Sequence, residues 1–229
     1  MTRFSAHHRR WAPSAALAAL ALTGAALATT GGATQAAAPM ASSSMHRQMA
    51  DSHQGVVLHR QMRALWEQHM EWTYSTVAAF AASTPNLTAT LDRLLANQSD
   101  LGDAIKPYYG TKAGNALTKL LKTHINDAVP VLTAAQAGDQ AALDSAIAAW
   151  KANARQIADF LAAANPHWGR AEMRTMMATH IDQTVAYAAA QLTGHYARSI
   201  RIYGHAEHHM LRMADMLSNG IIAQFPGRF

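Results

Sequence analysis

Leu101-Gly102-Asp103-Ala104-Ile105, Ile157-Ala158-Asp159-Phe160-Leu161 and Met213-Ala214-Asp215-Met216-Leu217 are three versions of one phrase, each beginning 56 residues after the last. Four positions before each phrase a polar residue interrupts an apolar stripe: Asn97, Asn153 and His209. A second polar series interleaves with the first. His69, His124 and His180 stand 55 and 56 residues apart, and Leu121-Lys-Thr-His124-Ile-Asn matches Met177-Ala-Thr-His180-Ile-Asp. A repeat of this length, apolar at every third or fourth position, describes two antiparallel helices. The chain therefore reads as all-α, an up-down bundle of six helices built from three duplicated helical hairpins.

Working outward, helical periodicity runs through residues 56–229 and no stretch alternates as a strand does. Helix one is expected from Val56 to Ala82, ending before Thr84-Pro85-Asn86. Helix two spans Leu87 to Tyr108, closed by Pro107 and Gly110. Helix three follows Thr111 as N-cap and runs to Gln136, with a kink at Pro130. Helix four begins after Asp139 and stops at Asn165-Pro166. Helix five covers Arg170 to Leu192, and helix six His195 to Asn219, with Gly220 as its C-cap.

Residues 1–36 read as an export signal. Arg3, Arg9 and Arg10 precede an apolar, small-residue run from Ala15 to Thr29, too short to span a bilayer. Residues 37–55 are a leader containing Met40, Met45, His46, Met49 and His53, and they read as a flexible tether. Thioethers and imidazoles in an exported leader also suit copper. The expected location is therefore periplasmic or secreted, with 56–229 as the folded domain.

Composition removes several functions. The formal charge of +5 falls to +2 once the three arginines of the signal are set aside (16 basic against 14 acidic residues), so no basic stripe for nucleic acid remains. No stable membrane span is expected after signal removal. The absence of cysteine excludes thiolate chemistry and covalently attached haem. About 190 residues suffice for one domain with a substantial core. The chain has only four glutamates, too few inward carboxylates for an oxygen-rich di-iron centre. No nucleophile, phosphate loop or acid-base pair emerges, so an enzyme is the less favoured class.

The polar residues can be placed on faces. His69 follows Met62, Leu65 and Trp66; His124 follows Leu117, Leu120 and Leu121; His180 follows Met173, Met176 and Met177; His209 sits between Ala206 and Met213. All four lie on buried stripes, as do Asn97 and Asn153, and each is near the middle of its helix. The expectation is one polar layer across the core. The repeated aspartates stand six residues further on, roughly 240° around the helix, and read as ion pairs at the surface or between helices.

With Leu65-Trp66-Glu-Gln-His69-Met-Glu-Trp72-Thr73, Asn97-Gln-Ser-Asp-Leu-Gly-Asp-Ala-Ile-Lys-Pro107-Tyr-Tyr-Gly110 and the ending from Met213 to Phe229, residues 56–229 resemble a group of uncharacterised bacterial helical proteins. That resemblance implies no activity. Locally, His208-His209-Met210-Leu-Arg-Met213-Ala-Asp-Met216 resembles the His-His and Met-Ala segment of exported ferritin-like bundles associated with copper.

Two uses of the layer stay open. In one, His69, His124, His180 and His209 bind a metal ion, joined by His205 one turn from His209, with Met176 and Met213 tilting the choice toward copper over zinc or iron. Asn97, Asn153 and Asp127 would then support the ligands by hydrogen bonding. In the other, the layer only fixes helix register, in a structural or partner-binding bundle. Haem b held between helices is a lesser alternative.

Overall fold

The computed structural model describes Ser44, Met45, Gln48 and residues 52–229. The expected signal of residues 1–36, and Met40, His46 and Met49 of the leader, lie outside the described residues. Among the described residues there is no strand. Five helices follow in order: α1 (His53–Ala81), α2 (Leu87–Ala137), α3 (Gln140–Ala164), α4 (Arg170–Leu192) and α5 (Tyr196–Gln224), with a final 3-10 turn at Pro226–Arg228.

Helices two and three of the sequence reading follow each other within Leu87–Ala137 across a kink, with no loop between them. Within Leu87–Ala137 only Gly110 leaves helical dihedrals, at φ 81° and ψ 165°. This is the left-handed half of φ space, open to glycine without steric cost. The element folds back there: a Cβ at Gly102 would strike Thr118, and one at Gly114 would lie 2.6 Å from the Gly102 carbonyl oxygen. Residues 12 apart on a straight helix would be about 18 Å apart. Thr111, expected as an N-cap, directly follows the kink. Pro130 is exposed, in backbone of helical dihedrals.

Other ends follow local chemistry. Ser52 caps α1, its hydroxyl accepting from Gly55 N at 3.0 Å, so the helix begins at His53 inside the expected tether. Asp139 caps α3 by accepting from Ala142 N at 3.0 Å. Helix α5 runs past Gly220 to Gln224. Gly220 is a seat for Trp168 instead of a C-cap, since a Cβ there would collide with the Trp168 indole.

Packing follows chain order and closes where α5 returns to α1. The core draws Met70, Leu101, Ile157, Met173, Ile181, Met210, Met213 and Ile221 from all five helices. Each such side chain contributes roughly 1.5–3 kcal/mol on burial. Tyr109 ties the fold-back to the C-terminus: its hydroxyl accepts from Asn165 Nδ2 (2.8 Å) and donates to Gln224 Oε1 (2.9 Å). Among the described residues, no helix is long and apolar enough to cross a membrane.

Candidate functional site

All six layer residues are buried, and their side chains divide into two sets. Asn97 Nδ2 donates to the Leu65 carbonyl at 3.0 Å and Asn153 Nδ2 to that of Leu120 at 3.2 Å. His209 Nε2 lies 2.9 Å from the Met176 carbonyl and, facing an acceptor, carries the hydrogen. Each accepting carbonyl belongs to the residue four before a layer histidine, on the facing helix. These three side chains therefore act as clamps between paired helices, and His209 belongs with the asparagines.

His69, His124 and His180 form the other set. The His180 ring centroid lies 5.7 Å from that of His69 and 5.8 Å from that of His124. Trp66 meets the edge of His69 at 5.5 Å, and Trp150 lies 5.2 Å from His124. The three imidazoles line a cavity of about 50 Å³ with Thr73, Thr76, Thr184, Trp150 and aliphatic side chains. Of these lining residues Val129 is exposed, so the cavity reaches toward the surface at α2.

Hydrogen bonds select the tautomers. Because Asn153 donates its amide to Leu120, its Oδ1 faces His124 Nδ1 at 2.9 Å and can only accept. His124 therefore carries its hydrogen on Nδ1 and its lone pair on Nε2, which is buried without a partner among the described residues. His180 Nδ1 is buried and unpartnered as well. Gln98 Nε2 donates to the Leu94 carbonyl at 2.8 Å and stands 3.3 Å from His69 Nδ1, while Gln98 Oε1 has no partner.

Burial keeps all three rings neutral. It pushes His69 down to about 3, with the His124 ring adding to the shift and the Gln98 bond opposing it. It pushes His124 down to about 4 against the Asn153 bond. His180 is driven well below the ordinary imidazole value by burial, then by His69, His124 and His209.

Other expected site residues lie elsewhere. His205 is exposed, and Asp127 is half-buried and does not line the cavity. Met213 is fully buried in the core and Met176 lines an open groove with Met216 and Arg212; neither lines the cavity. Among the described residues, no three His, Asp or Glu side chains are arranged to hold a metal ion. The repeated aspartates form ion pairs: Asp103 with Lys106 at 2.5 Å, Asp159 with Arg174 at 2.8 Å, and Asp215 with Arg63 at 2.6 Å.

Gln98 escaped the sequence reading. It occupies the stripe Leu94, Gln98, Leu101, Ile105, where a polar residue was as informative as its neighbour Asn97. No protein-family model, curated protein or solved structure matches this chain.

Proposed function

We propose that this is an exported metal-binding bundle in which His69, His124 and His180 hold a single transition-metal ion, copper first, for sequestration, delivery or sensing outside the cytoplasm. One observation carries the reading: His124 Nε2 and His180 Nδ1 are buried nitrogens without a hydrogen-bond partner among the described residues, in neighbouring neutral rings that border one small cavity. Leaving such a group without a partner costs roughly 1–3 kcal/mol, and neutral imidazole is the form that ligates. Imidazoles around one ion at metal–nitrogen distances of about 2 Å have ring centres about 5 Å apart, so rings at 5.7 and 5.8 Å must turn and close slightly.

Copper stands first because nitrogen sites follow the order that peaks at Cu²⁺; the methionine argument of the sequence lends nothing, since the cavity contains no thioether. Haem b would require the helices to part around a cavity of about 50 Å³. The test is metal analysis of tag-free protein recovered from the export compartment, beside a His124→Leu/His180→Leu variant. Stoichiometric metal that disappears in the variant is expected. A metal-free chain that also takes up no added copper or zinc refutes the proposal.

A second reading rests on the three clamps, which recur at the same place in each helix pair and support three duplicated hairpins whose polar layer sets register. On that reading the histidine pair contributes no binding, and the same double variant retains or gains stability.

A further inference from the structure

Lys151 and Arg155 stand one turn apart on α3, and Arg174, Thr175 and Ala178 stand on one stretch of α4. With Ala154 these side chains line a trough of about 260 Å³ between the two helices. Three of its lining residues are cations and none is an acid, while Ala154 and Ala178 add no bulk. Arg155, Arg174 and Thr175 are exposed, so the trough opens to solvent.

The nearby acids lie outside the lining and hold two of the cations in place. Asp159 accepts from Arg174 Nε and Nη2 at 2.8 Å each, and Asp182 stands 2.7 Å from Lys151 Nζ. These pairs leave the Nη1 hydrogens of Arg174 and part of the Lys151 ammonium unused. Arg155 makes no ion pair among the described residues, and its whole guanidinium fork is uncommitted. Thr175 adds no donor, since its hydroxyl donates to the Ala171 carbonyl at 2.9 Å.

Charge is in excess here. Arg170 lies 3.8 Å from Asp159, so Lys151, Arg155, Arg170 and Arg174 face only Asp159 and Asp182, a balance of +2. Residues 37–229 carry 16 basic and 14 acidic residues, also +2, so the rest of that stretch balances and the excess sits on this strip. Asp159 registers it: the Arg174 bond first, and then the charges of Arg174, Arg170 and Arg155, hold its carboxyl below the ordinary value against desolvation.

A dianion neutralises such a strip, and guanidinium forks match a tetrahedral oxyanion through paired hydrogen bonds. A single carboxylate brings half the charge. A bilayer surface fits less well, because among the described residues none of the exposed large apolar side chains belongs to α3 or α4.

We infer that the trough between α3 and α4 binds a phosphate dianion, free or as the head of a soluble monoester, between Arg155, Lys151 and Arg174. The site shares no residue with the histidine cavity and does not depend on an ion there.

The test is isothermal titration calorimetry with inorganic phosphate at about pH 8, where it is a dianion, at ionic strength held constant with chloride. Saturable binding of one phosphate per chain is expected, with phenyl phosphate competing for it. Arg155→Gln and Lys151→Gln should each weaken it roughly tenfold, the worth of one hydrogen bond to a charged group. Arg155 is exposed and unpaired, so its variant should melt as the parent does. Arg198→Gln removes an exposed cation from α5, outside the trough, and should leave the affinity unchanged.

Heat no greater than that of chloride at equal ionic strength overturns the inference. An equal loss in Arg155→Gln and Arg198→Gln does so too, because it traces binding to net charge alone. Vesicles of phosphatidic acid in phosphatidylcholine present the same group on a lipid. Arg155-dependent binding to them, without binding of free phosphate, overturns the soluble ligand.

Discussion

Acidifying the metal-free protein should unfold it through the histidine cluster. His69 and His124 titrate at about 3 and about 4 in the fold, and His180 well below its ordinary value, against 6.5 in an unfolded chain. Between pH 6.5 and these folded values the unfolded chain binds protons that the folded one refuses. Stability must therefore fall as pH falls through this window, and above about pH 7 the three groups add no pH dependence. Each such group costs about 1.4 kcal/mol per pH unit, so three together cost about 4 kcal/mol per unit below pH 6. A domain stable by 5–15 kcal/mol is exhausted between roughly pH 5 and pH 3. The assay is urea unfolding followed by circular dichroism at pH 7, 6, 5.5 and 5, in chelator. The His124→Leu/His180→Leu variant retains one of the three groups, so its slope should drop to about 1.4 kcal/mol per unit. Exposed histidines are common to both proteins and cancel in the comparison. Equal slopes in the two proteins would refute the reasoning, because they would mean that the rings are protonated alike in the folded and unfolded chains.

Four further outcomes follow from the packing. Gly220→Ala should destabilise by about 1–3 kcal/mol, the usual range for overpacking, because its methyl group meets the Trp168 indole; thermal melts measure it. Asn153→Leu removes a clamp and the acceptor of His124, and should cost about 1–3 kcal/mol. His209→Asn, which brings the residue of the other two clamps to the same position, should cost less than His209→Leu in the same melts. Asp159→Asn should leave the melting temperature and any bound metal unchanged, since this ion pair with Arg174 sits at the surface, away from the cavity.

The bundle was legible because its signal is periodic. Every helix carries an apolar stripe, and six polar residues within those stripes announced a buried layer that the fold contains. What the stripes could not say is how the layer divides. Asn97, Asn153 and His209 reach carbonyls 32 or 33 residues away, whereas His69, His124 and His180 meet at a cavity, and that choice depends on side-chain reach across a helix pair. The face of a helix gives no such information. Gly220 misled for a related reason: near the end of a periodic run a glycine reads as a cap, and only the tertiary partner Trp168 explains it. Gly110 was recognised as a break, but the absence of any loop around it was not, because a single left-handed residue suffices for the reversal. Methionines at helical spacing could not reveal that Met176 faces a groove and Met213 the core, both away from the imidazoles.

The clamps also bear on the order in which the molecule assembles. Each joins helices close in sequence, Leu65 to Asn97, Leu120 to Asn153 and Met176 to His209, so its loop-closure entropy is modest and it can form early. The histidines of the cavity come one from each clamped pair: His69 from α1, His124 from the second half of α2, and His180 from α4. They meet only when all three pairs have docked. The cavity therefore depends on the docking of all three pairs, and parting any one of them opens it. An ion present during folding would be enclosed as the pairs close, and its release rate would be bounded by the rate at which they part.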